Sequence, residues 1–199
     1  MIFLRGFVPK LIKGPEKFIK LKVLSICNLA DAFLFYIVIQ NKYMDIEKLQ
    51  FLTKDCLPLF KNIKGEAMGN WGIMNGQQMV EHVAAFFAVS TGKIKFDLVT
   101  PLEHLPKYRE FLLSDKDFRE NTKAPASLIG EEALPLHYAN MEEALVNMKQ
   151  SIADFEDFFK DDKLKTTLHP VFGELNFDEW VLLHYKHVRH HLKQFELLK

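Results

Sequence analysis

The chain has 199 residues, enough for one domain with a full hydrophobic core and too few for two ordinary domains plus a linker. Lys and Arg number 26, as do Asp and Glu, so the formal net charge is zero and the electrostatic footprint of a nucleic-acid binder is missing. A hydrophobic content of 48%, with 18 Phe, supplies the apolar surface needed to offset ordering entropy, which excludes a disordered or collagen-like chain.

Residues 1–43 differ from the rest. They carry seven basic residues and two acidic ones, leaving the remainder acidic. Within them, 23–39 is a nearly continuous apolar run, but it is interrupted by Asn28 and Asp31. A central Asp costs about 2.5 to 3.5 kcal/mol on insertion scales, and no small-residue cleavage site follows. A membrane anchor through 23–39 is therefore the disfavoured reading. An added helix packed on the domain and translated upstream sequence ahead of Met44 both fit, and the domain is placed at 44–199. Cys27 and Cys56 sit in no C-x-x-C pair and cannot build a disulfide framework or a cysteine zinc site, which suits a reducing, cytoplasmic compartment.

From Asp45, a plausible N-cap, the positions Ile46, Leu49, Thr53, Cys56 or Leu57, and Phe60 recur at helical spacing, with Pro58 kinking or ending the first helix. Cys56 reads as a buried small hydrophobe. A turn-rich stretch leads to Asn75, which forms a capping-box pattern with Gln78. Met79, His82, Val83, Phe86, Phe87 and Ser90 then make the stripe of a second helix that Gly92 ends. From Lys93 to Leu136, Pro101, Pro106, Pro125, Gly130 and Pro135 leave room for at most a short helix around 107–113. A connection that long is often a functional or covering loop. Met141, Leu145, Met148, Ile152, Phe155 and Phe159 form a third stripe. Asn176 with Glu179 is a second capping box, opening a fourth helix with Trp180, Leu183, His184, His187, His191, Gln194, Phe195 and Leu198 on its stripe. No run of period-two alternation occurs. The expectation is an all-α protein, a four-helix bundle with a long connection between helices two and three.

At about 100° per residue, His187 and His191 share the inward face of the fourth helix, while His184 and His190 flank it. An i, i+4 pair stacks two imidazoles on adjacent turns, the spacing by which one helix grips one metal ion. His82 is the one histidine on another long helix that lies on an apolar stripe, so it is the candidate third ligand. Three neutral imidazoles with an open position suit zinc, nickel, iron or manganese. The spacing alone admits a second reading, in which these are hydrogen-bonded core histidines or cations at a solvated helix end. No nucleotide loop or serine-hydrolase elbow is present.

The stretch NWGIMNGQQMVEHV, followed about a hundred residues later by LHPVFGELNFDEWVLLHYKHVRHHLKQF, resembles the DinB-like (YfiT-like) superfamily, and in particular an uncharacterised bacterial subgroup with a similar ending. The resemblance spans 44–199. It implies a four-helix bundle with a divalent metal on His82, His187 and His191, the set to which the helical wheel also points. It further implies Gln78, His169, Trp180, His184 and Gln194 as supporting or pocket residues. Characterised members include thiol-dependent transferases, and others are described as metal-dependent hydrolases. The implied function is a metal-dependent enzyme acting on a small molecule, with a low-molecular-weight thiol as a further cofactor. The competing reading is a non-catalytic bundle that binds a metal or small ligand as a homodimer, because fold does not establish catalysis.

Overall fold

A computed structural model of the chain describes residues 46–125 and 133–198. The expectations placed on 1–43, on Asp45 and on Gly130 lie outside the described residues. Within them the protein is mostly helical, with five helices, and a small two-stranded sheet is added to the expected helical architecture. Among the described residues no helix is long and apolar enough to cross a membrane.

Helix α1 is α-helical at 46–50, widens into a π-turn at Phe51–Asp55 and is α-helical again at Cys56–Phe60. Pro58 accounts for this shape: it has no N–H to offer, and its ring crowds the carbonyl four residues back, so the turn before it widens. The Cys56 N–H accordingly reaches back five residues, to the Phe51 carbonyl. The helix thus continues through Pro58, and the extra residue changes its phase. Leu52, Cys56 and Phe60 are buried, whereas Ile46, expected on the stripe, is 53% exposed. Burial pushes the Cys56 thiol up to about 12, as suits a small core residue.

Helix α2 (Gly76–Ser90) opens on the expected capping box: Asn75 Oδ1 accepts from the Gln78 N–H, and Gln78 Oε1 accepts from the Asn75 N–H. A 3₁₀ turn at Leu102–His104 leads into α3 (Leu105–Leu113) inside the long connection. Helix α4 (Met141–Phe159), capped by Asn140, lies along α2, where Phe155 meets Phe87 edge-on. Strands β1 (Thr167–His169) and β2 (Gly173–Leu175) pair antiparallel, with His169 opposite Gly173. At the turn between them, His169 Nδ1 accepts the N–H groups of Val171 and Phe172.

Helix α5 (Phe177–Gln194) begins at the second expected capping box, Asn176 with Glu179. It stops earlier than its apolar stripe implies, because Glu196 takes a left-handed φ of 58°. The Leu197 N–H then returns to the Leu192 carbonyl and the Glu196 N–H to that of Lys193, a Schellman ending that excludes Phe195 and Leu198 from the helix. The long connection is fastened along α5. Lys186 Nζ donates to the carbonyls of Ser114 and Lys116, Asp117 pairs with Arg189 and Lys193, and Arg109 pairs with Glu179.

Candidate metal centre

The caps of α2 and α5 fix where each helix starts, and the helical repeat then carries His82, His187 and His191 to one place. The Nε2 atoms of His82 and His187 lie 3.0 Å apart, and those of His187 and His191 3.1 Å apart. One nitrogen from each ring lies within 4.8 Å of those of the other two. Nitrogens bound at 2.0 to 2.1 Å around a tetrahedral centre are about 3.3 to 3.4 Å apart, so the two short edges are within a few tenths of an ångström of that arrangement.

Proton placement bears on the same point. His191 Nδ1 lies 2.8 Å from Gln194 Oε1, a pure acceptor, so the His191 proton sits on Nδ1 and its Nε2 faces the cluster as a lone pair. His187 Nε2, placed between two other Nε2 atoms, cannot satisfy both with one proton. His187 Nδ1 is buried without a partner. A cation shared by three lone pairs relieves the crowding of the Nε2 atoms, and it places the His187 proton on Nδ1, where the described residues offer no acceptor.

All three rings are held neutral. Burial, then the nearby His190, pushes His82 down to about 4. Burial comes first for His187 and His191 too, followed by the neighbouring imidazoles, and holds both well below the ordinary histidine range. Neutral imidazole is the form that binds a metal. His191 is buried, whereas His82 and His187 keep part of their surface exposed. Phe86 stacks obliquely on His187 with centroids 4.1 Å apart.

The other sequence-derived candidates divide clearly. Gln194 bonds directly to His191 and is almost fully buried. Trp180 points inward and is fully buried, its Nε1–H donating to Thr167 Oγ1. His184 sits in the core rather than in a pocket: its ring stacks on Phe87 at 3.9 Å, and its Nε2 is 3.0 Å from Ser90 Oγ. The Ser90 hydroxyl donates to the Phe87 carbonyl, so His184 Nε2–H is the donor in that pair. His169 is committed to the hairpin turn, with Phe86 in contact with both its ring and that of His187. Gln78 is spent on the α2 cap and on the Leu134 carbonyl, which corrects its assignment to the pocket. The stretch that contains Trp71 stood out in the sequence, but its contact with α5 did not: the Trp71 carbonyl accepts from Gln194 Nε2. The available signal was the pair of glycines in G-N-W-G.

Fold and site together define a mostly helical protein with a three-histidine cluster between two helices. A model of the family described as "Protein of unknown function (DUF1569)" matches residues 64–197, which include all three histidines. The chain belongs to that family. Neither a curated protein nor a solved structure matches it.

Proposed function

We propose that this protein is a divalent-metal-dependent enzyme of the DinB-like class, a thiol transferase or hydrolase acting on a small molecule. In this reading α1, α2, α4 and α5 form the four-helix bundle and α3 belongs to the crossover. The observation that carries the proposal is the convergence of three neutral imidazoles, one of them with its Nε2 lone pair fixed toward the other two.

His82, His187 and His191 would hold the ion. When bound, it supplies Lewis acidity that lowers the pKa of a water or thiol and so makes a nucleophile available at neutral pH. The burial of His191 and the ring of Phe86 against His187 keep water from the inner side, while the partly exposed surfaces of His82 and His187 leave an outer side for substrate. A second reading, a metal- or ligand-binding bundle without catalysis, draws on a different observation: among the described residues no carboxylate hydrogen-bonds to any of the three rings, so the cluster lacks the carboxylate partner that commonly raises the basicity of a ligand imidazole.

The test uses protein purified without a histidine tag, analysed for metal and then screened for thiol transfer and ester or amide hydrolysis. The enzyme reading expects about one divalent ion per chain and an activity abolished by chelation and by His187→Ala. Stoichiometric metal with no turnover in any assay favours the second reading, and absence of metal binding contradicts the enzyme reading and leaves only the ligand-binding form of the second.

A further inference from the structure

Gln194 and the loop 69–72 are fitted to each other closely. The Gln194 amide bridges two groups, accepting from His191 Nδ1–H at 2.8 Å and donating from Nε2 to the Trp71 carbonyl at 2.5 Å. The carbonyl cannot donate, so it requires the amide NH₂ on its side and leaves Oε1 for His191. A reversed amide would set two oxygens face to face. The loop is held from the other direction as well: the Asn70 N–H donates to the Gln194 carbonyl at 2.8 Å, and Asn70 Nδ2 donates to Glu196.

The two glycines explain how the loop comes so near. A Cβ at Gly69 would lie 2.7 Å from Gln194 Cγ, and one at Gly72 would lie 2.7 Å from Gln194 Nε2. Gly72 also has φ near 80°, a region that side-chain-bearing residues rarely adopt. Both features serve one contact, the seating of the Gln194 side chain under the Trp71 carbonyl.

We infer that Gln194 is the positioning residue of the histidine cluster. Anchored by the Trp71 carbonyl, it locks His191 in the Nδ1–H tautomer and so keeps the His191 Nε2 lone pair facing His82 and His187. The inference rests on the metal-site reading for its purpose, but not for its geometry. A partner on the far nitrogen fixes the tautomer and orientation of a ligand imidazole, and its loss typically costs 10- to 100-fold in metal affinity.

The test is carried out on the full chain with two readouts, nitrogen-15 NMR of the His191 ring in metal-free protein and zinc titration. Wild type is expected to show Nδ1–H at His191. Gln194→Leu, which removes the acceptor, should populate Nε2–H and weaken zinc binding about 10- to 100-fold. Gln194→Glu, which keeps an acceptor for His191 and, protonated in this buried place, donates its O–H to the Trp71 carbonyl as the amide does, should retain the Nδ1–H tautomer and restore zinc affinity to within a few-fold of wild type. If Gln194→Leu does not fold, the Glu variant decides: retention of Nδ1–H supports the inference and its loss overturns it. An unchanged tautomer in a folded Gln194→Leu protein also overturns it, as does unchanged zinc affinity. A wild type that binds no zinc, yet whose tautomer changes as described in the Leu variant, retains Gln194 as the positioning residue and removes the metal reading alone.

Discussion

His187 is the middle member of the cluster, since its Nε2 is the atom within about 3 Å of both other imidazoles. His187→Ala should therefore reduce zinc affinity by more than the 10- to 100-fold typical of losing a supporting partner. His190, three residues on, packs on Trp71, Phe118 and the edge of His191 without pointing a nitrogen into the cluster, so His190→Ala should lower zinc affinity much less than His187→Ala while costing about 1 to 3 kcal/mol of stability. Calorimetric titration beside thermal melts separates the two, and equal loss of zinc in both variants contradicts the assignment. The neutral histidines also set a pH dependence. Burial pushes His169 down to about 3 and His82 to about 4, with His184, His187 and His191 also well below the usual value. Unfolding returns each to about 6.5, so below that pH the unfolded chain binds more protons. Stability of the metal-free protein should be full above about pH 6.5 and fall steadily toward pH 4. Denaturant melts at several pH values check this, and a flat or rising stability over that interval would contradict buried neutral rings.

At the scale of the element, what was legible was whatever is written locally. Both capping boxes stand as read, because an N-cap and its partner three residues on are a single-turn interaction. The π-turn before Pro58 was not legible: proline announces a disturbance, and the packing of Leu52, Cys56 and Phe60 chooses its form. The β-hairpin escaped because strands of three residues are too short to show alternation. Gly76, the first residue of α2, gives a test in which context opposes propensity. Gly to Ala in a helix ordinarily stabilises by about 0.5 to 1 kcal/mol. Here a Cβ would lie 2.4 Å from the Lys64 carbonyl oxygen and 2.5 Å from Ile63 Cγ2. Gly76→Ala is expected to destabilise by about 1 to 3 kcal/mol in chemical denaturation, as overpacking does. A stabilised variant would show that the 63–76 loop does not press on the start of α2 as described.

For the molecule as a whole, the pair His187 and His191 could be read from one helix, whose periodicity turns both inward. His82 required a second helix and a resemblance to place it beside them. The close fit of loop 69–72 to Gln194, the oblique stacking of Phe86 on His187 and the core role of His184 depend on contacts between residues far apart in the chain, which no local pattern encodes. The same holds for the long connection, whose attachment to α5 through Lys186 and Asp117 could not be foreseen from its prolines. The central claim is that His82, His187 and His191 form one metal site. X-ray absorption at the zinc edge, on tag-free protein loaded with one equivalent of zinc, measures it directly. The account predicts three imidazole nitrogens at about 2.0 to 2.1 Å, falling to two in His82→Ala. A zinc shell without histidine nitrogen, or one unchanged in His82→Ala, would contradict it.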